Sequence, residues 1–429
     1  MAPERPPKGF ARIASIAATG LRVGAGQLLG RLGVPGATEA AALAAARRLA
    51  RLRGIALKAG QIGSYLEGVL PERDAAVYQK ALAVLRNAAP VLDPAGAARV
   101  VEEELGAPPD RFFLDWEPKA FAAASIGEVH RARLPDVGEV AVKVQYEGIA
   151  DALATELSLS TLATLLGPVS AKFRLDEQVE EIRARFLEEL DYRHEAGAQA
   201  EFSALFHGDL HVRVPEVVPR ASTTRVLTSR LVSGLSFEEA ERAPEETRRF
   251  WAETLWRFVF KSLMHGLFNA DPHPGNYLLG ADHVWFLDFG CTRRLSPERT
   301  EMIREAHRAS AAGDDARFIE AGAELVGLSS AGEGAQRGRD YLRLCFAPLF
   351  ANGRYRITRE YCRRLFTDMR DHTRAMVFGP AGEFTPLPAD LLFLNRLQLG
   401  FYSVLARLDV DVDYHSLDAE IVSDLRAIA

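Results

Sequence analysis

Apolar and polar positions along the chain follow two rhythms. Residues 38–58 and 72–87 carry alanine and leucine at helical spacing, and 93–105 repeats the pattern. Ala107-Pro108-Pro109 breaks it, because proline cannot continue a helix. From Phe112 to Val144 the period changes. Two short apolar runs, 121–133 and 139–145, flank Pro135-Asp136-Val137-Gly138 and predict a β-hairpin. Helical spacing returns at 151–166 and across 176–206. A strand pair is expected at 212–218 and 224–231, ending at Ser233-Gly234. Beyond Glu245 the pattern is mostly helical, with strands around 277–279 and 284–287. There is no internal repeat and no long low-complexity linker. The expected order is a helical N-terminal extension (1–110), a small β-rich lobe with inserted helices (111–232) and a larger helical lobe (233–429), an α+β class.

Composition narrows the partners. With 48% apolar and 26% charged residues the 429-residue chain is ordinary globular material, long enough for two or three domains. A net charge of −6 argues against a generic nucleic-acid binder. Cys291, Cys345 and Cys362 form neither a metal-type pair nor a disulfide framework, which points to a reducing, cytoplasmic setting. No apolar, charge-free stretch reaches the roughly 18 residues a membrane span needs. The start, MAPERPPKGF, has no apolar run behind it, so no secretory signal is expected.

Charge is unevenly spread. Residues 1–58 hold ten basic side chains against Glu4 and Glu39. Within them, 10–32 mixes Ile13, Ile16, Leu21, Val23, Leu28 and Leu29 with Arg12, Arg22 and Arg31. Two readings stand side by side: a peripheral contact with an anionic membrane face, or a helix packed by its apolar side on its own domain. Lysine is scarce, with seven residues among 52 basic ones. A retained lysine then marks a place that needs a compact ammonium rather than a planar fork, and this singles out Lys58 and Lys143.

Two constellations carry chemistry. Ala122-Ala123-Ala124-Ser125 lies in the expected hairpin, one strand before Val140-Ala141-Val142-Lys143. A turn of small residues lets backbone N–H groups approach phosphate oxygens, and Lys143 would neutralise them. This is the layout of a kinase small lobe with alanines in place of the glycine-rich loop. Asp271-Pro272-His273-Pro274-Gly275-Asn276 is followed by Leu287-Asp288-Phe289-Gly290 across a short hairpin. An Asp with an Asn five residues on, then D-F-G, is the spacing of a kinase active site. Asp271 would orient or deprotonate an attacking hydroxyl, and Asn276 and Asp288 offer hard oxygens to Mg²⁺. Glu195, on the helix expected over 176–206, is the candidate partner of Lys143. Glu189 and Asp191 precede it, and Lys58 and Gln61 stand in Lys58-Ala59-Gly60-Gln61.

His207-Gly208-Asp209-Leu210-His211 imitates a phosphotransferase loop, but five residues beyond Asp209 stands Val214, which cannot hold a metal. It is read as an exposed loop. His194, His207 and His211 lack the tight spacing of a metal cluster.

Together KAGQ, AAASIGEVH, VAVK, ELD with Glu195, LVSG at 231–234, ADPHPGN and LDFG resemble the UbiB/AarF atypical kinases, the coenzyme Q kinase-like family. The resemblance runs from Lys58–Gln61 to a helix over 387–408. It implies a protein-kinase-like bilobal fold with an added N-terminal helical extension. It implies that Lys143 is the nucleotide lysine and Glu195 its partner. Lys58 and Gln61 would lie in an extension folded across the place of a protein substrate, with Lys58 paired to Glu189 and Asp191 near nucleotide and metal. Asp271 would be the catalytic-loop aspartate, Asn276 and Asp288 the metal ligands. The Ala122–Ser125 loop would embrace phosphates, and Leu231 and Val232 would offer backbone groups to adenine. ATP or ADP and Mg²⁺ are the implied cofactors. A prenyl-lipid intermediate, anionic lipid and quinone-biosynthesis enzymes are the implied partners, and nucleic acid is not among them.

Three departures accompany the match. Glu128 stands where glutamine is common, Asn269 where bacterial members often carry histidine, and no C-terminal transmembrane pair is seen. The implied function is an ATP-binding atypical kinase or ATPase supporting ubiquinone or related isoprenoid-lipid metabolism. A nucleotide-switched lipid-binding scaffold is the alternative from another class. A conventional protein or small-molecule kinase is the third, and the KAGQ extension would obstruct it.

Overall fold

The computed structural model describes residues 94–150, 188–328, 332–378 and 389–428. These divide into two compact units. The first holds the described residues up to Tyr192 together with Pro219–Thr228, and the second holds Arg193–Val218 and the described residues from Ser229 onward.

The first unit starts with α1 (Pro94–Leu105) and the single turn α2 (Pro109–Phe112), separated where Pro108 and Pro109 interrupt helix bonding. Strands β1 (Asp115–Trp116), β2 (Ala122–Ala123), β3 (Gly127–Leu134) and β4 (Gly138–Gln145) follow. Next in the chain come β5 (Val212–Arg213), a strand of the second unit, and β6 (Val226–Arg230). The sheet order is β1-β3-β4-β6, with β2 paired to β3.

The expected hairpin is present as β3 and β4, in register from Gly127↔Gln145 to Leu134↔Gly138. Gly138 closes its turn at φ +87°, where a side chain would be strained. Because side chains alternate along a strand, Glu128, His130, Val140, Val142 and Val144 share the buried face with Val100 and Val101 in the core. Val129, Arg131 and Lys143 take the opposite face. His130 stacks on Trp116 at 4.5 Å and donates from Nδ1 to the Glu117 carbonyl.

The second unit is helical around α5. In chain order it contains α3 (Tyr192–Leu205), which follows directly from the first unit, α4 (Phe237–Ala240) and α5 (Glu245–Met264). Then come α6 (Pro297–Ala311), α7 (Asp315–Leu325), α8 (Glu333–Cys345), α9 (Ala347–Phe350), α10 (Arg359–Phe378), α11 (Ala389–Leu408) and α12 (Tyr414–Ile428). Ser236 and Glu239 form a reciprocal capping box that starts α4. Phe258 of α5 stacks on Phe202, Phe206 and Phe286, and Trp256 stacks on Phe260 and Tyr402 and packs at a tilt against Tyr414, so α5 carries the core.

Three small sheets complete the unit. Strands β7 (Leu267–Asn269) and β10 (Thr292–Arg294) pair antiparallel. Strands β8 (Tyr277–Leu279) and β9 (Val284–Phe286) form a hairpin joined in parallel by β5. Strands β11 (Tyr355–Arg356) and β12 (Asp411–Val412) make the third. Leu397, Phe401, Val404 and Leu405 of α11 are buried in this unit. No described helix is long and apolar enough to cross a membrane. The three cysteines are free thiols, and burial pushes Cys345 up to about 12.

The structure corrects three expectations. The segments 212–218 and 224–231 do not pair as adjacent strands. β5 joins β9, β6 joins the β-rich sheet, and a lone Val217↔Ser229 bridge links them. Pro215 and Pro219, which lack N–H donors, explain why that ladder fails. The expected 176–206 helix is also not continuous where it is described. Residues 188–191 form a turn closed by Asp191 N–H to the Glu188 carbonyl, and the helix begins at Tyr192. Finally, 193–218 pack with the second unit rather than the β-rich one, because Phe202 and Phe206 seat on Phe258.

Candidate functional site

In the first unit, Lys143 stands opposite Val129 in the β3–β4 register. Its Nζ lies 5.1 Å from the centroid of the Tyr192 ring, which is 2% exposed. Ala122 and Ala123 form β2, opposite Val129 and Glu128, and are exposed. Ala124 N–H donates to the Gly127 carbonyl at 2.9 Å, closing a turn through Ser125, and buried Ile126 anchors it. A Cβ on Gly127 would fall 2.2 Å from the Val144 carbonyl oxygen and 2.8 Å from the Tyr192 hydroxyl. The turn therefore depends on an approach that only glycine permits.

Gln145 joins this arrangement to the turn at 188–191. Its Nε2 donates to the Leu190 carbonyl at 2.8 Å and to the Thr224 carbonyl at 3.3 Å, and Tyr192 N–H donates to the same Thr224 carbonyl. Glu189 and Asp191 ride on the turn so held, two residues along β4 from Lys143. The β-rich unit thus gathers Lys143, Tyr192 and the Glu189–Asp191 turn at one end of one strand. Lys58 and Gln61 lie outside the described residues.

In the second unit, β7 delivers Asp271 and β9 leads to Asp288. Asn276 Nδ2 donates to the Asp271 carbonyl at 2.9 Å and lies 3.5 Å from its Oδ2, while the Asn276 carbonyl accepts from Leu287 N–H at 3.0 Å. Asp288 Oδ1 accepts from Gly290 N–H at 3.0 Å. Asn269 Oδ1 accepts from Asp271 N–H at 3.0 Å, and its Nδ2 donates to the Asp288 carbonyl at 2.5 Å. His273 Nδ1 accepts from Gly275 N–H at 3.0 Å, which tightens the loop between Asp271 and Asn276. Tyr277 is buried, and burial together with the Asp271 charge raises its phenol.

Glu195 occupies the first turn of α3, 6% exposed. A Cβ on Gly290 would lie 3.4 Å from Asp288 Oδ1 and 3.5 Å from Glu195 Oε2, so both carboxylates converge on this glycine. Phe289, 1% exposed, packs against Phe202 of α3 and holds that convergence. Leu231 and Val232, half-buried, lie in the extended segment between β6 and the Ser236 capping box. The imitation loop is an exposed turn: Asp209 Oδ1 accepts from His211 and Val212 N–H, and Leu210 is 72% exposed.

The donor set suits Mg²⁺. With Nδ2 of Asn276 committed to Asp271, its oxygen is the atom that can face a cation, and Asp288 adds a carboxylate. Magnesium commonly takes one or two such hard oxygens and fills its shell with phosphates and water.

A model of the ABC1 atypical kinase-like domain matches residues 84–321. The chain belongs to the ABC1 atypical kinase-like family. Among curated members, the mitochondrial atypical kinase COQ8B of Rattus norvegicus is 32% identical over 307 residues, covering 69% of this chain and 56% of that protein. The mitochondrial atypical kinase COQ8 of Saccharomyces cerevisiae is 32% identical over 256 residues, covering 58% and 50%. The chain thus spans about half the length of the curated relatives it matches. Among solved structures, Rv3197 of Mycobacterium tuberculosis, determined in complex with erythromycin, superposes with a TM-score of 0.61 at 26% identity, covering 84% of this chain and 90% of that one. The kinase-like α+β fold expected from the motifs is therefore shown.

Sequence reasoning missed the parts of this ABC1-type site that hold rather than react. Tyr192 sits beside the ELD motif but was not singled out. Gln145 reads as a strand residue two places past the lysine. Asn269 stood out only as a departure from the family pattern.

Proposed function

We propose that this chain binds ATP or ADP with Mg²⁺ and acts as an atypical kinase or ATPase, supporting ubiquinone or other isoprenoid-lipid biosynthesis at a membrane surface. The observation that carries the reading is the Asp271–Asn276–Asp288 arrangement, in which Asn276 donates its side-chain amide to the Asp271 carbonyl and accepts with its backbone carbonyl from Leu287 N–H, next to Asp288. Asp271 would orient the attacking hydroxyl, and Asn276 and Asp288 would hold Mg²⁺, which would supply positive charge to offset that of the phosphates. Lys143 would neutralise phosphates beside the Ala122–Ser125 turn, with Glu195 assigned as its partner. Leu231 and Val232 would present backbone groups to adenine. Lys58 with Glu189, Gln61, and Asp191 near nucleotide and metal complete the assignment.

The test is Mg²⁺-dependent ATP turnover by the full chain, with and without anionic liposomes, comparing the parent with Asp288→Asn. Phosphate release that needs Mg²⁺ and disappears in the variant supports the reading. Equal turnover in both proteins overturns it.

A second reading, a lipid-binding scaffold with nucleotide as its switch, draws on the ten basic side chains within residues 1–58. Nucleotide binding without turnover, with liposome co-sedimentation that depends on residues 1–35, would favour it.

A further inference from the structure

Asn269 is half-buried at the last position of β7, in register with Thr292 of β10. It makes two hydrogen bonds of opposite sense. Its oxygen takes the N–H of Asp271, and its amide donates to the carbonyl of Asp288. The two partners fix which way the amide points. Turned over, an NH₂ group would face an N–H and an oxygen would face a carbonyl, losing both bonds. A short planar group with one acceptor and one donor therefore spans the two segments that carry the assigned base and the assigned metal ligand. Ala270 N–H to the Cys291 carbonyl, at 3.0 Å, closes the same gap one residue further on.

We propose that Asn269 is a positioning residue, a clamp that sets the spacing between the Asp271 loop and the Asp288 segment without touching nucleotide or metal. The proposal rests on the functional reading above for its effect on turnover, but its geometry stands apart from that reading. Asparagine suits the place because the side chain must both accept and donate. Aspartate has the same size and keeps the acceptor, but it turns a second oxygen toward the Asp288 carbonyl. Alanine loses both bonds.

The test compares the parent with Asn269→Asp and Asn269→Ala in the full chain. Amide hydrogen exchange without nucleotide is one measurement, and steady-state ATPase kinetics across a Mg²⁺ titration is the other. In the parent the Asp271 amide should be protected. In Asn269→Ala its exchange should speed up at least about tenfold, while in Asn269→Asp it should stay near the parent rate. Both variants should lose about ten- to a hundredfold in kcat with the KM for ATP within about twofold, because a small misplacement of reacting groups costs rate rather than binding. The Mg²⁺ concentration for half-maximal rate should rise severalfold in Asn269→Asp.

Parent-like kcat in Asn269→Asp, or loss of kcat and KM together in proportion to lost thermal stability, overturns the proposal. If the parent binds no nucleotide, the functional reading fails. The exchange data then decide the clamp alone: equal Asp271 exchange in parent and Asn269→Ala overturns it, and faster exchange in the variant supports it.

Discussion

The ammonium of Lys143 lies over the face of Tyr192, 5.1 Å from the ring centroid. An aromatic face is electron-rich and attracts a cation, more so when the ring is shielded from water as Tyr192 is. The hydroxyl of the same ring would lie 2.8 Å from a Cβ added at Gly127, so it occupies the space beside that glycine. One side chain therefore supports both the lysine and the turn that follows the alanine loop. Lysine, with a compact charge on a flexible stem, can lean on the ring and still reach for phosphate.

Replacing Tyr192 with leucine should weaken Mg·ADP binding by about three- to thirtyfold, the span expected for losing a partly shielded cation–π contact. Tyr192→Phe keeps the ring and should bind within about twofold of the parent. Isothermal titration of both variants checks this. Equal affinity in Tyr192→Leu and the parent would show that the ring does not hold the lysine.

Glycine at 127 and glycine at 197 should respond in opposite directions to the same substitution. A Cβ at 127 meets the Val144 carbonyl at 2.2 Å, and that oxygen belongs to a strand that cannot shift without loosening β3 from β4. Overpacking of this kind costs about 1–3 kcal/mol, so Gly127→Ala should lower the melting temperature. Gly197 lies inside α3 with nothing within 4 Å of an added Cβ. Gly197→Ala should stabilise by about 0.5–1 kcal/mol through helix propensity. Thermal melts of the two variants beside the parent are the measurement.

What could be read from the sequence follows from how local each signal is. The β3–β4 hairpin was legible because its pattern and turn sit within 20 residues. Asp271, Asn276 and Asp288 were legible because their spacing is itself the motif. The failed pairing of 212–218 with 224–231 has a different origin. In the first segment only Val212–Arg213 is a strand, and it takes its partner from β9, about 70 residues later, a choice no local pattern announces, while Pro215 and Pro219 keep the rest from pairing along β6. The Tyr192 support was hidden for a related reason. It depends on a turn at 188–191 that the Thr224 and Leu190 carbonyls fix by long-range bonds, so helical spacing alone placed Glu189 and Asp191 on a helix.

Acid should destabilise the β-rich unit through Glu104. Burial pushes its carboxyl up, but hydrogen bonds from Thr223 and Arg225 and the Arg225 charge outweigh burial and hold it below the ordinary range. Arg225 also binds Glu103 at 2.8 Å, so it ties α1 to the segment entering β6. A carboxyl held low in the fold is a proton-binding site that the unfolded chain regains. Its stabilisation is present above the ordinary carboxylate value, about 4.3, and is lost as pH falls through the lower folded value. Melting temperatures taken from pH 7 down to pH 3 should show a smaller acid-side fall in Glu104→Gln than in the parent. Parallel curves would remove this ion pair from the acid response.

The last expectation concerns a contact far from any motif. A Cβ on Gly400, inside α11, would come 2.7 Å from Cγ of Pro272. Pro272 is buried and directly follows Asp271, and its ring cannot swing aside as a flexible side chain could. The absence of a side chain at 400 lets the Asp271 loop seat against the helix. In isolation, Gly400→Ala would favour the helix by about 1 kcal/mol. Here that gain competes with a clash borne by the loop, so the two readouts should separate. Helix content by circular dichroism should hold or rise, while ATP turnover should fall by about tenfold or more as Asp271 is displaced. Unchanged turnover in a well-folded Gly400→Ala protein would mean that the loop takes its position from Asn269 and Asn276 alone.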